Sequence, residues 1–214
     1  DLGEAEITRF LSNLACERRI SASTQNQALS ALLFLYQEVL HKDLAWLQGI
    51  VRAKRPIRAP VVLARSEVEA LLANLKGVPW LMASLLYGAG LRLMECCRLR
   101  VKDVDLTRDA ITIREGKGLK DRVTLLPGKL REPLATHLEQ VRQQHRDDLR
   151  LGHGSVELPG AIARKNTNAP RDWGWQWVFP ATRMYLDRTS GALRRHHLHE
   201  SVLQRAVKRA VRKA

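Results

Sequence analysis

The apolar positions of this chain fall into two regimes. Over most of its length they recur at intervals of three and four, the period of a helix with one buried stripe. Ile7, Phe10, Leu11 and Leu14 predict an amphipathic helix over Glu4 to Glu17. After Ser21-Ala22-Ser23, Leu29, Leu32, Leu33, Tyr36, Val39 and Leu40 predict a second, opened by a capping box of Thr24 with Gln27. Ser66 with Glu69 repeats that signature ahead of Leu71, Leu72 and Leu75, and Pro79 suits the start of the next helix. Leu130 to Leu149 predicts a helix with a charged outer face. Glu200 to Ala214 predicts a basic amphipathic one, with Val202, Leu203, Ala206, Val207, Ala210 and Val211 as its stripe. Between these the period falls to two. Ala110 to Arg114 and Asp121 to Leu126 alternate as strands of a hairpin with Gly116-Lys117-Gly118 at its tip, closed by Pro127. From Leu151 to Arg195 no period holds, although Trp173, Trp175 and Trp177 would share one face if that stretch were extended.

The breaks divide the chain. Arg52 to Pro60 is basic, punctuated by proline and aperiodic, as an exposed linker is; it either tracks along a phosphate backbone or is a solvated connector. The expected division is a helical unit over 1–51, a linker over 52–60 and a larger unit over 61–214. A unit of about 50 residues is marginal alone, so further helices are expected before Asp1. The last helix lacks a closing turn, so the chain is expected to be cut short at that end too.

Charge narrows the partner. The 214 residues are 45% apolar, enough for a core, and carry a net charge of +14 spread over the length, with a pI near 10.4. A polyanion is the expected partner, nucleic acid first. No apolar run approaches the roughly 20 residues that span a bilayer, and no signal-peptide pattern opens the chain, so no membrane partner and a cytoplasmic location are expected. Cys16, Cys96 and Cys97 are odd in number and lack zinc spacing, which suits reduced thiols.

The candidate chemistry lies in Leu85 to Asp105. An apolar helix runs into Gly88-Ala89-Gly90, a bend that side chains with a Cβ resist, and a new helix begins with Arg92 in its first turn. A helix start offers free N–H groups and a positive dipole end, so an arginine there is placed to grip a phosphate. Glu95, three residues on, shares its face and can fix the guanidinium. An ordinary helix pair with a surface ion pair reads equally well from these residues alone.

The order of motifs decides further. Gly-Ala-Gly-Leu-Arg-Leu-Met-Glu at 88–95, Leu99-Arg100-Val101-Lys102-Asp103-Val104-Asp105, Gly116-Lys117-Gly118-Leu119-Lys120-Asp121-Arg122 and Leu125-Leu126-Pro127 resemble, in sequence and spacing, the first half of the catalytic domain of tyrosine site-specific recombinases. The chain looks most like the integron integrases within that family. That likeness extends to Ser23-Thr24, Leu32-Leu33-Phe34-Leu35-Tyr36, Pro60-Val61-Val62-Leu63, the stretch from Leu158-Pro159 to Trp175 and Trp177-Val178-Phe179-Pro180, and Arg194-Arg195-His196-His197-Leu198-His199.

The resemblance implies a mainly α, α+β fold: a SAM-like helical core-binding domain, incomplete at its N-terminus, then a catalytic domain with a small antiparallel sheet and an integron-type insertion at about 151–180. It implies that the two domains clamp DNA and that a homotetramer works on two sites. It also implies strand exchange through a 3′-phosphotyrosine, with no metal or other cofactor. Carried over by match, Arg92 meets charge on the phosphate oxygens, Glu95 supports it, and Lys117 gives a proton to the departing 5′-oxygen. Lys54, Arg55, Lys120 and Arg122 are expected on DNA. In integron integrases that bind folded single-stranded sites, aromatic rings stack on extrahelical bases; Trp173, Trp175, Trp177, His196 and His197 are candidates to line or support such a pocket, and two of the three tryptophans are expected in the core.

Other family elements have no counterpart. No histidine is followed three residues later by arginine, so the family's second catalytic box is unmatched, and Tyr36, Tyr87 and Tyr185 do not match the nucleophile. Leu151-Gly152-His153 mimics a family motif out of place. The polypeptide is therefore expected to bind DNA without cleaving it. The rivals are a noncatalytic DNA-binding regulator and, less favoured for want of a motif, an RNA-binding module. The cluster His196-His197-Leu198-His199-Glu200 has no zinc spacing.

Overall fold

Two helices sharing one apolar stripe form the first of two units, Asp1–Val62 and Leu63–Ala214. The computed structural model describes residues 3–42, 49–54, 61–114, 121–160, 162–188 and 190–214. In the first unit, α1 (Glu4–Cys16) and α2 (Ala22–Phe34), which runs on as a π-helical turn at Leu35–Val39, bury Ile7, Leu11 and Tyr36 together. Helix α2 begins earlier than the Thr24–Gln27 box predicts. Ser21 is the cap, its Oγ accepting from the Thr24 N–H at 3.2 Å, because it is the residue with extended backbone there. Gln25 is buried, and its amide donates to the carbonyls of Leu11 and Val51 and accepts from the Ala53 N–H, each at 2.8 Å. The opening of the expected linker is thus pinned to the helical unit, with Lys54 exposed just beyond. Most of the remaining linker, Arg55 included, lies outside the described residues.

The second unit opens with α3 (Arg65–Ala73). Its start also differs from the expected Ser66–Glu69 box. Glu67 Oε2 accepts from the Ala64 N–H at 2.6 Å, and Glu69 instead pairs with Arg65 at 3.0 Å, since Ser66 already has helical backbone. Helices α4 (Gly77–Ala89), α5 (Leu93–Cys97), α6 (Gly128–Arg150) and α8 (Glu200–Val211), with the short α7 (Ile162–Lys165) outside them, surround one core that includes Met82, Leu85, Cys96, Ile111, Leu134, Phe179 and Leu203. No described helix is long and apolar enough to cross a membrane.

Strands β1 (Val104–Asp105), β2 (Ala110–Ile113) and β3 (Arg122–Leu125) form an antiparallel sheet with β2 central; Ile111 faces Thr124, and Ile113 faces Arg122. Ile111 and Ile113 enter the core. In β3 the usual sense is reversed: Val123 and Leu125 are exposed, while Thr124 donates to the Ala89 carbonyl at 2.9 Å and Arg122 reaches α5. The strand turns its polar side toward the end of α4. A second antiparallel pair, β4 (Pro180–Leu186) and β5 (Leu193–His197), carries a register shift between Pro180 and Met184. The tryptophan stretch is not extended. A 3₁₀ turn at Trp173–Trp175 breaks the two-residue period, so the three rings meet different partners.

The two glycines of the bend do different work. Gly90 ends α4 with φ of 64°, the left-handed region. At Gly88 a Cβ would come within 2.6 Å of Pro127 Cγ, the proline that follows the hairpin. Gly88→Ala is therefore expected to lower stability by about 1–3 kcal/mol in thermal melts. Gly128→Ala, whose Cβ would meet nothing within 4 Å, serves as the control.

Candidate functional site

Arg92 is the N-cap of α5, with extended backbone, and its side chain is 56% exposed. Glu95, at the third helical position, reaches back: Oε2 accepts from the Arg92 N–H at 2.8 Å, and Oε1 from Arg92 Nη1 at 2.7 Å. Arg122 arrives from β3 and grips the same carboxylate with both ends of its fork, Nη1 to Oε1 at 2.8 Å and Nη2 to Oε2 at 2.6 Å. The hydrogen bonds from Arg122, followed by those from Arg92, hold the Glu95 carboxyl down at about 2 against the effect of burial. Two guanidinium groups and one carboxylate leave the cluster a net positive charge, with Arg92 the most open member. Such a cluster can grip an anion arriving from solvent. Lys117 and Lys120 fall within 115–120, outside the described residues.

A second arrangement lies on the other side of Glu95. A cleft of about 640 Å³ is lined by residues that include Arg98, Arg100, Lys102, Glu157, Trp175 and His196. Backbone bonds from the Val101 N–H to the Gln176 carbonyl and from the Val178 N–H to the Leu99 carbonyl lay the tryptophan stretch alongside residues 99–101. Arg100 is buried with its guanidinium 3.1 Å above the Trp177 ring, and it donates to the carbonyls of Trp175 and Glu157, each at 2.7 Å. Burial lowers its pKa to about 10, with Asp103 and Glu157 opposing. Lys102 Nζ stands 3.3 Å above Trp175, and burial lowers its pKa too.

Trp177 is itself buried, one face under Arg100 and an edge contact on His197, so it supports the cleft wall. Trp175 is half-buried and His196 exposed; these are the rings with surface to offer. Trp173 packs away from them, against His145 and Arg142. His197 is buried, donates from Nδ1 to the Leu198 carbonyl at 2.9 Å, and is pushed toward the neutral form by burial. His199, two residues on, caps α8, with Nδ1 accepting from the Ser201 N–H at 3.2 Å. Among the described residues no three His, Cys, Asp or Glu side chains converge as metal ligands do.

Several supporting residues gave little signal in the sequence. Arg195, buried in β5, donates from Nε and Nη2 to the two oxygens of Asp148 on α6, each at 2.8 Å, and from Nη1 to the carbonyls of Ala181 and Thr182. Those carbonyls lie in the stretch where β4 slips register, so one side chain satisfies the irregularity and ties the hairpin to α6. Arg100 and Lys102 stood inside a recognised motif, yet nothing local told that tryptophans some 75 residues later would cover them. Arg205, Lys208 and Arg209 on α8, with Arg212 at its C-cap, border an open basic concavity.

Residues 62–214 match the phage integrase family, and residues 1–46 the N-terminal SAM-like domain of phage integrases. An integrase/recombinase of Escherichia coli is 46% identical over 213 residues, covering 100% of this chain and 63% of that protein. The tyrosine recombinase XerA of Thermococcus kodakarensis is 36% identical over 142 residues, 65% of this chain and 49% of its own. The chain thus spans less than two thirds of the length of either relative. Among solved structures, XerH site-specific recombinase bound to palindromic difH substrate in a post-cleavage complex aligns with a TM-score of 0.58 at 18% identity, over 100% of this chain and 56% of that one. That likeness shows a shared fold of mostly helical units with small antiparallel sheets. By the match over residues 62–214, the chain belongs to the phage integrase family of tyrosine recombinases.

Proposed function

We propose that this polypeptide is the DNA-gripping part of a site-specific recombinase of the integron integrase type. The observation that carries the reading is Arg92 at the start of α5, half exposed and fixed by Glu95 in a cluster of net positive charge. On this reading Arg92 binds the non-bridging oxygens of a scissile phosphodiester. Lys117, by family match, donates the proton to the departing 5′-oxygen. Arginine suits the first task because its planar fork meets two oxygens at once and stays charged at any working pH. The tyrosine nucleophile and the second catalytic box have no match in these 214 residues, so the chain binds DNA without breaking it.

The integron type is supported by Trp175 and His196 on one cleft, backed by Trp177 and His197, a wall suited to an unstacked base of a folded single strand. Lys54, Arg55 and Lys120 are assigned to phosphates. With the remainder of the protein, the working unit would be a homotetramer on two DNA sites.

Binding is the test of this reading. Duplex affinity should fall by about 10³-fold or more between roughly 50 and 200 mM salt, because many phosphate contacts release counterions. Fluorescence anisotropy across a salt series measures the slope, and an affinity indifferent to salt would rule out a phosphate clamp.

A further inference from the structure

We propose that Arg122 is a positioning residue for Arg92, acting through Glu95, and not a DNA contact of its own. This rests on the reading of Arg92 as the phosphate-gripping arginine, and it revises the role that sequence alone suggests for Arg122.

The geometry carries the argument. Glu95 has two oxygens, and four donors converge on them: Nη1 and Nη2 of Arg122, the Arg92 N–H and Arg92 Nη1. Arg122 takes the bidentate position, the stronger and more directional way to hold a carboxylate. A fifth contact, Nη2 to the Gly90 carbonyl at 3.4 Å, ties it to the bend that precedes Arg92. Both Nη atoms of its fork are therefore engaged by Glu95 and Gly90, while the side chain as a whole is 37% exposed.

Arg92 is engaged differently. Glu95 takes one N–H of its guanidinium, and among the described residues the others have no partner, so they remain for an anion. Remove Arg122 and two things change. Glu95 can swing to take Arg92 in the bidentate manner, covering the donors a phosphate needs. The cluster also falls from a net charge of +1 to neutral. Arg122 thus keeps Glu95 from competing with the substrate for Arg92.

Inorganic phosphate, titrated at constant ionic strength while the Arg92 side-chain ¹⁵Nε resonance is followed, reports the grip directly. Arg122→Gln is expected to weaken phosphate binding about tenfold. Arg122→Lys, which keeps the charge but loses the fork, should recover part of that loss. In Glu95→Gln protein, Arg122→Gln should cost clearly less, since the route through Glu95 is gone and only the loss of a nearby positive charge remains.

A second readout concerns Glu95 itself. Its carboxyl, held down at about 2 mainly by Arg122, should titrate nearer the ordinary 4.5 in Arg122→Gln protein, by ¹³C resonance. The clamp is whole above pH 4.5 and is lost only as pH falls toward 2. An Arg122→Gln loss of equal size in the Glu95→Gln background would make Arg122 a direct contact and overturn the proposal; so would no loss at all, or an unmoved Glu95 titration. If phosphate left the Arg92 resonance unmoved in the unaltered protein, the reading of Arg92 itself would fail, and a shifted Glu95 titration would then mark Arg122 as a structural clamp alone.

Discussion

Asp148→Ala should destabilise the second unit by about 3–5 kcal/mol, the largest loss expected from any single side chain outside the apolar core. The pair with Arg195 is buried, each side chain 10% exposed, and both carboxylate oxygens are used. Truncating the acid leaves a nearly buried guanidinium with the carbonyls of Ala181 and Thr182 as its remaining side-chain partners among the described residues. An unpaired buried charge is costly because nothing replaces the water it gave up. Asp148→Asn keeps shape and one acceptor and should lose less. Asp147, one residue earlier, is the control. Its pair with Arg150 has side chains 53% and 73% exposed, so Asp147→Ala should stay within about 1 kcal/mol. Urea unfolding at unchanged slope separates the cases. A difference under about 1 kcal/mol between the two variants would mean that Arg195 finds water or another partner.

The same pair shows where reading along the chain stops. Helices with clear stripes were legible: α1, α6 and α8 lie where periodicity puts them, and the alternation of β2 and β3 gave the hairpin. Helix starts were less so. The capping-box pattern occurs at Thr24–Gln27 and Ser66–Glu69, each already inside its helix, and backbone conformation makes Ser21 and Ala64 the caps instead. The tryptophan stretch was open in the sequence, because composition without period cannot distinguish an extended segment from the 3₁₀ turn found at Trp173–Trp175. Gly88 was legible as special, though its reason, the approach of Pro127, is a contact between distant residues.

The candidate site divides along the same line. Arg92 and Glu95 are three apart on one helix start, so their contact follows from local geometry. Arg122 joins them across 27 residues, although the family resemblance implies a place on DNA for it. Arg100 and Trp177, or Asp148 and Arg195, meet only because the chain folds back, and no spacing encodes that. Local motifs therefore identified the exposed arginine and its carboxylate partner at the start of α5. The groups that hold them in place came from tertiary contacts.

Arg92→Ala should separate gripping DNA from acting on it. The protein needed is a chimera in which the residues of the Escherichia coli relative that lie beyond the match on its C-terminal side follow Ala214. With Arg92 intact, it should trap a covalent protein–DNA adduct on a recombination-site oligonucleotide, resolved on a denaturing gel. The alanine variant should lose about 10²–10³-fold in adduct formation, the effect of removing a preorganised donor from charge that develops in the transition state. Duplex binding should fall much less, since that affinity is shared over many phosphates and one contact among them is a small fraction. The two ratios discriminate. Equal losses would make Arg92 an anchor, binding ground and transition states alike. A chimera that binds DNA tightly, keeps Arg92 and never forms an adduct would favour the rival, a regulator that retains the recombinase fold without its chemistry.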